Sequence, residues 1–83
     1  MNIEYEILHL IYLSDGELDY HHIEAYLTDY NFHSEVHILE KILDDMKKGG
    51  LLTVNIFFGD PLYKITALGE EYMRSVGRFA EPE

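Results

Sequence analysis

The chain has 83 residues, with 16 acids against 6 bases, and a net charge of −10 with neutral histidines. Such a field repels DNA, RNA and anionic membranes, so phosphate binding would need a local basic patch. The length allows one domain rather than two, the 47% hydrophobic content argues against disorder, and the lack of cysteine excludes a disulfide framework and a thiolate metal site.

A cysteine-free chain fits a reducing cytoplasm, and the expected location is cytoplasmic. The opening run Met1–Leu13 is interrupted by Glu4 and Glu6 and has no basic leader. It reads as neither a signal peptide nor a membrane span. Its periodicity predicts a first helix over about residues 2–13. Ile3, Ile7, Leu10 and Ile11 form one apolar face, and Tyr5, Leu8 and Tyr12 form a second on nearly the opposite side. A helix apolar on two sides needs cover on both. Ser14-Asp15-Gly16 stops it.

Leu18 fits a strand of one or two residues, and Asp19 is placed to cap a second helix over about 20–30. Tyr20, Ile23, Tyr26, Leu27 and Tyr30 share its inner face. After the turn Asn31-Phe32-His33, Ser34 is the expected cap of a third helix over about 35–48. Val36, Leu39, Leu43 and Met46 make its core stripe, with Ile38 and Ile42 on the flank, and Gly49-Gly50 ends it. Leu51–Phe58 is rich in β-branched and aromatic residues and reads as a strand. Gly59-Asp60-Pro61 is the expected turn, Leu62–Ile65 the returning strand, and Thr66 the cap of a helix over about 67–76. Residues 1–76 then form the domain and 77–83 a flexible tail.

Three helices and a two-stranded hairpin, in that order, make a mainly α fold with a small antiparallel hairpin, the order of a winged helix-turn-helix. The run Leu39-x3-Leu43-x2-Met46-x3-Gly50-Leu51-Leu52 resembles the recognition helix and first wing strand of bacterial winged-helix regulators. Tyr63-Lys64-Ile65-Thr66-Ala67-Leu68-Gly69 is similar to the segment that closes the wing in PadR- and MarR-like regulators. The resemblance spans about residues 2–76. It implies a DNA-binding transcriptional regulator, with the third helix in the major groove and the wing on the backbone. In that role Lys41, Lys47, Lys48 and Lys64 would meet phosphates and His37 a base.

The charges oppose that role. The outward face of the third helix carries Glu35, Glu40, Asp44 and Asp45 beside its few lysines, and the wing tip has Asp60 but no base. These five carboxylates are therefore the candidate contact surface for a protein partner with a basic surface. Small acidic proteins of phages and mobile elements, acting as decoys of nucleic-acid-handling enzymes, resemble this description. The Tyr5, Leu8, Tyr12 face, with Tyr72, either lies under the last helix or joins a second copy in a homodimer.

His33-x3-His37 lacks a third metal ligand, so no metal and no cofactor is expected. Glu4, Glu6, Glu17, Asp19, Glu24 and Asp29 fall on solvated helix faces or in turns, and no nucleophile motif or Gly-rich phosphate loop accompanies them. The expected function is non-enzymatic.

Overall fold

A computed structural model describes residues 2–80. The chain is mainly helical, with a small antiparallel sheet. The elements are α1 (Ile3–Leu13), β1 (Glu17–Asp19), α2 (Tyr20–Asp29), α3 (His33–His37), α4 (Leu39–Lys48), β2 (Leu52–Phe57), β3 (Asp60–Ile65) and α5 (Ala67–Ala80). The sheet order is β1-β3-β2, so the hairpin's second strand is central and β2 is an edge.

Helix boundaries follow local chemistry. Asn2 caps α1 by accepting from the Tyr5 N–H, and Asp19 caps α2 by accepting from the His22 N–H. α1, α2 and α4 end in a shared hydrogen-bond pattern: the Gly16, Phe32 and Leu51 N–H groups reach back to the Ile11, Leu27 and Met46 carbonyls. The residue before each is left-handed: Asp15, Asn31 and Gly50. At Gly50 this turn sends the chain directly from α4 into β2.

Ile7, Leu8, Ile11, Ile23, Leu27, Leu39, Leu43, Met46, Leu52 and Met73 form the core, and no polar side chain is buried among the described residues. α1 therefore does bury residues from both of its apolar faces. α5 packs across it: the Tyr72 hydroxyl donates to Glu4, and Gly77 lies against the Tyr5 ring.

Four sequence expectations need correction. The third helix is two helices, broken at Ile38, whose N–H turns back to the Glu35 and Val36 carbonyls. The break lets α3 pack on α2 while α4 packs on β2. Ser34 is not a cap, because α3 starts two residues earlier than expected, at His33 after Phe32, with no side-chain cap. The hairpin turn is Phe58-Gly59, and Asp60 and Pro61 belong to β3. The last helix runs to Ala80, so residues 77–80 are helical rather than tail, and 81–83 lie outside the described residues.

Asp19 carries a pH-dependent part of the stability. The His22 N–H, and then the His22 ring, hold its carboxyl below the usual carboxylate range. A depressed folded-state pKa stabilises fully above the unfolded value, near 4, and that stabilisation fades as pH falls through the folded value. Asp19→Ala is expected to cost about 1 kcal/mol at neutral pH. In urea melts the gap from the parent should close as pH falls from about 5 toward 2.

Candidate partner-binding groove

The outer side of α4, the N-terminal end of α2 and the inner face of the β2–β3 hairpin enclose an open groove of about 630 Å³. Its position follows from strand register. Val54 pairs with Tyr63 and Ile56 with Pro61, so these four side chains share the face turned toward α4. Leu43, Glu40, Asp44 and Lys47 come from α4, and Tyr20 and His21 from α2. The groove is thus apolar and aromatic below, with carboxylates and one lysine on the α4 side.

Burial pushes the Tyr63 hydroxyl above its ordinary range, with Tyr20, Glu40 and Asp44 adding to the effect. Burial does the same to Tyr20, reinforced by Glu24 and Glu40. Both phenols therefore stay neutral at physiological pH and can donate hydrogen bonds. Two phenols beside two carboxylates favour a cation that can lie on an aromatic face and donate to oxygen.

Of the five candidate carboxylates, the groove brings together two, Glu40 and Asp44. Asp60 stands at the turn end of the hairpin, as the first residue of β3, with its carboxylate 3.9 Å from the His21 imidazole at the groove's other end. Asp45 does not line the groove and pairs with Lys41 at 2.9 Å. Glu35 is half-buried on α3, a different helix from the other four. The break at Ile38 separates it from the surface it was expected to join.

The residues required for DNA contact are dispersed or paired. Lys41 is held by Asp45, and Lys48 by Asp44 at 2.9 Å. The second pair lowers the Asp44 pKa and raises that of Lys48. Lys64 lies opposite Thr53 and Glu17 on the central strand, on the face away from the groove. His37 is exposed at the end of α3. Only Lys47 of this set lines the groove.

The Tyr5, Leu8, Tyr12 stripe is not free as a unit. Leu8 is fully buried and Tyr5 and Tyr72 are half-buried between α1 and α5, because α5 is long enough to cover them. Tyr12 alone stays 43% exposed. Among the described residues no three His, Asp or Glu side chains gather as a metal site, and no helix is long and apolar enough to cross a membrane.

Two features escaped the sequence reading. Tyr20 and Tyr63 look like ordinary core tyrosines until the register sets them beside Glu40. The hairpin end is strongly apolar: Ile56 is 70%, Phe57 62% and Phe58 91% exposed. Phe58 also has φ +51, a left-handed backbone that bulky residues rarely adopt. Asparagine or glycine would suit that turn position better, so stability does not account for the phenylalanine. The unbroken run Leu51–Phe58 was the available signal, and it needed the turn position to be read.

No protein-family model matches the chain, and no curated protein and no solved structure matches it significantly.

Proposed function

We propose that the chain is a winged-helix module that acts by protein–protein contact and catalyses no reaction. The partner presents a basic surface, and the groove between α4 and the hairpin receives it. A lysine or arginine side chain enters between Tyr20 and Tyr63 and meets Glu40 and Asp44. The element order and the β1-β3-β2 sheet support the winged-helix reading.

The observation that carries the functional reading is the pairing on α4. The helix that would enter a DNA groove has two of its lysines neutralised by its own carboxylates, while Glu40 remains without a basic partner among the described residues. A regulator needs its cations free to replace counterions on phosphate. A decoy or adaptor for a basic, nucleic-acid-handling protein needs the reverse.

Pull-down from the native source, with the parent and with the Glu40→Lys/Asp44→Lys variant, tests this. The parent is expected to retain a basic protein that elutes as salt rises. The variant is expected to lose it by at least about tenfold, since both contacts turn from attraction to like-charge repulsion. Retention of the same protein by the variant would remove the groove as the contact site.

A further inference from the structure

Apart from its groove face, the hairpin has an open backbone edge along β2. β2 pairs only with β3 among the described residues, and no backbone hydrogen bond from another element reaches Thr53–Phe57. Phe57 and Asp60 flank the two-residue turn, so they form a hydrogen-bonded pair and the pairs alternate from there. Phe57, Asn55 and Thr53 therefore bond to β3, while the N–H and C=O groups of Ile56, Val54 and Leu52 point to the open edge. Pro61, which has no N–H, lies opposite Ile56 in a non-hydrogen-bonded pair and costs the ladder nothing.

Natural edge strands carry charges, prolines or bulges that block further pairing. This one carries none: from Gly49 to Gly59 there is no ionisable side chain and no proline. In a chain of net charge −10, that run is the longest uncharged stretch. It is the surface another copy can approach without bringing carboxylates together. The hairpin's one acid, Asp60, sits on β3, one strand removed from that edge.

We propose that the open edge of β2 pairs with β2 of a second copy, antiparallel and two-fold symmetric, centred on Asn55. A two-fold axis perpendicular to the sheet keeps each face common to both copies, so one residue must oppose itself. Centring on Asn55 sets Ile56 opposite Val54 as a hydrogen-bonded pair, which satisfies the outward groups. It also sets Phe57 opposite Thr53, an aromatic and β-branched cross-strand pair. The exposed Phe57 is then covered. The Asn55 side chains meet as amides able to bond to each other.

The absence of cysteine makes a clean test. In this register the two Asn55 Cα atoms stand about 4.5 Å apart, within disulfide reach, while the two Thr53 positions are about 13 Å apart. Asn55→Cys is expected to form a covalent dimer at least about tenfold faster than Thr53→Cys under mild oxidation. Sedimentation of the cysteine-free parent, from about 10 µM to about 1 mM, should show mass rising toward the dimer. The rise should be larger at about 500 mM salt than at about 50 mM, because screening relieves repulsion between acidic copies. A monomer throughout, a dimer that salt dissociates, or equal cross-linking by the two variants would each overturn the proposal. Binding of a basic partner in the groove has the opposite salt dependence and turns on Glu40 and Asp44, which the strand pairing does not use, so either proposal can fail without the other.

Discussion

Replacing Gly69 by alanine is expected to destabilise the fold by about 3 kcal/mol or more, lowering Tm by about 12 °C or more. A Cβ at this position would stand 2.2 Å from the Leu51 carbonyl oxygen and 3.0 Å from the Ile65 side chain. The first contact is with backbone, so no rotamer change relieves it. The junction is also held by other bonds. Thr66 accepts from the Gly69 N–H at 2.9 Å, donates to the Gly50 carbonyl at 2.6 Å, and its own N–H bonds to the Leu51 carbonyl. Moving α5 to admit a methyl group would strain all three. Gly49→Ala is the control. Gly49 is right-handed, and a Cβ there meets only carbonyl oxygens at 3.5 and 3.6 Å. It should leave Tm unchanged or slightly raised. Thermal melts of the two variants give the comparison, and a Gly69→Ala protein as stable as Gly49→Ala would contradict the packing described at this junction.

Leu43→Ala is expected to cost about 2–5 kcal/mol, with a lower urea midpoint and an unchanged slope. Leu43 is fully buried in the core and also contributes to the groove lining. It stands between Glu40 and Lys47, one α-helical turn from each, so its removal leaves a void directly beneath the carboxylates. Leu43→Met keeps the volume and is expected to cost less than about 1.5 kcal/mol. Partner binding should follow the same order, weakest in the alanine variant, because the floor positions the acidic rim.

The two motifs that carried the winged-helix resemblance meet in space at one place. Gly50-Leu51 ends the first, Thr66 and Gly69 close the second, and the bonds above join them. Their legibility has a physical source. A left-handed Gly50, a capping threonine and a glycine under a carbonyl each admit few substitutes, so each leaves a mark in sequence. The core stripes of α1, α2 and α4 were legible for a related reason: helical period places Ile7 and Ile11, Ile23 and Leu27, and Leu39, Leu43 and Met46 on inward faces.

What was not legible depended on tertiary choices with weak local signals. Ser34 resembles a cap, yet Phe32 is half-buried against the core and starts α3 two residues earlier. Nothing around Ile38 marks a break, because the break serves packing on two separate neighbours. The turn Phe58-Gly59 is masked by Gly59-Asp60-Pro61, a stronger turn sequence one residue later. That single-residue difference decides which side chains share a face. With the observed register, Tyr63 lies opposite Val54 and enters the groove, and Phe57 faces away from it. Of the acidic residues read as one surface, Glu40 and Asp44 hold together because they are four apart on one straight helix.

The proposed function requires the groove between α4 and the hairpin to take a cationic side chain of a protein and not a phosphate backbone. Amide chemical-shift mapping tests it directly, using the isotope-labelled protein with an arginine-rich synthetic peptide and, separately, with duplex DNA, both at about 50 mM salt. The peptide is expected to move the amides of Glu40, Leu43, Asp44, Val54 and Tyr63 most, with the response lost in the Glu40→Lys/Asp44→Lys variant, and DNA is expected to move none of them. Peptide-induced shifts spread evenly over the acidic surface, or DNA-induced shifts on α4 and the hairpin, would contradict the account.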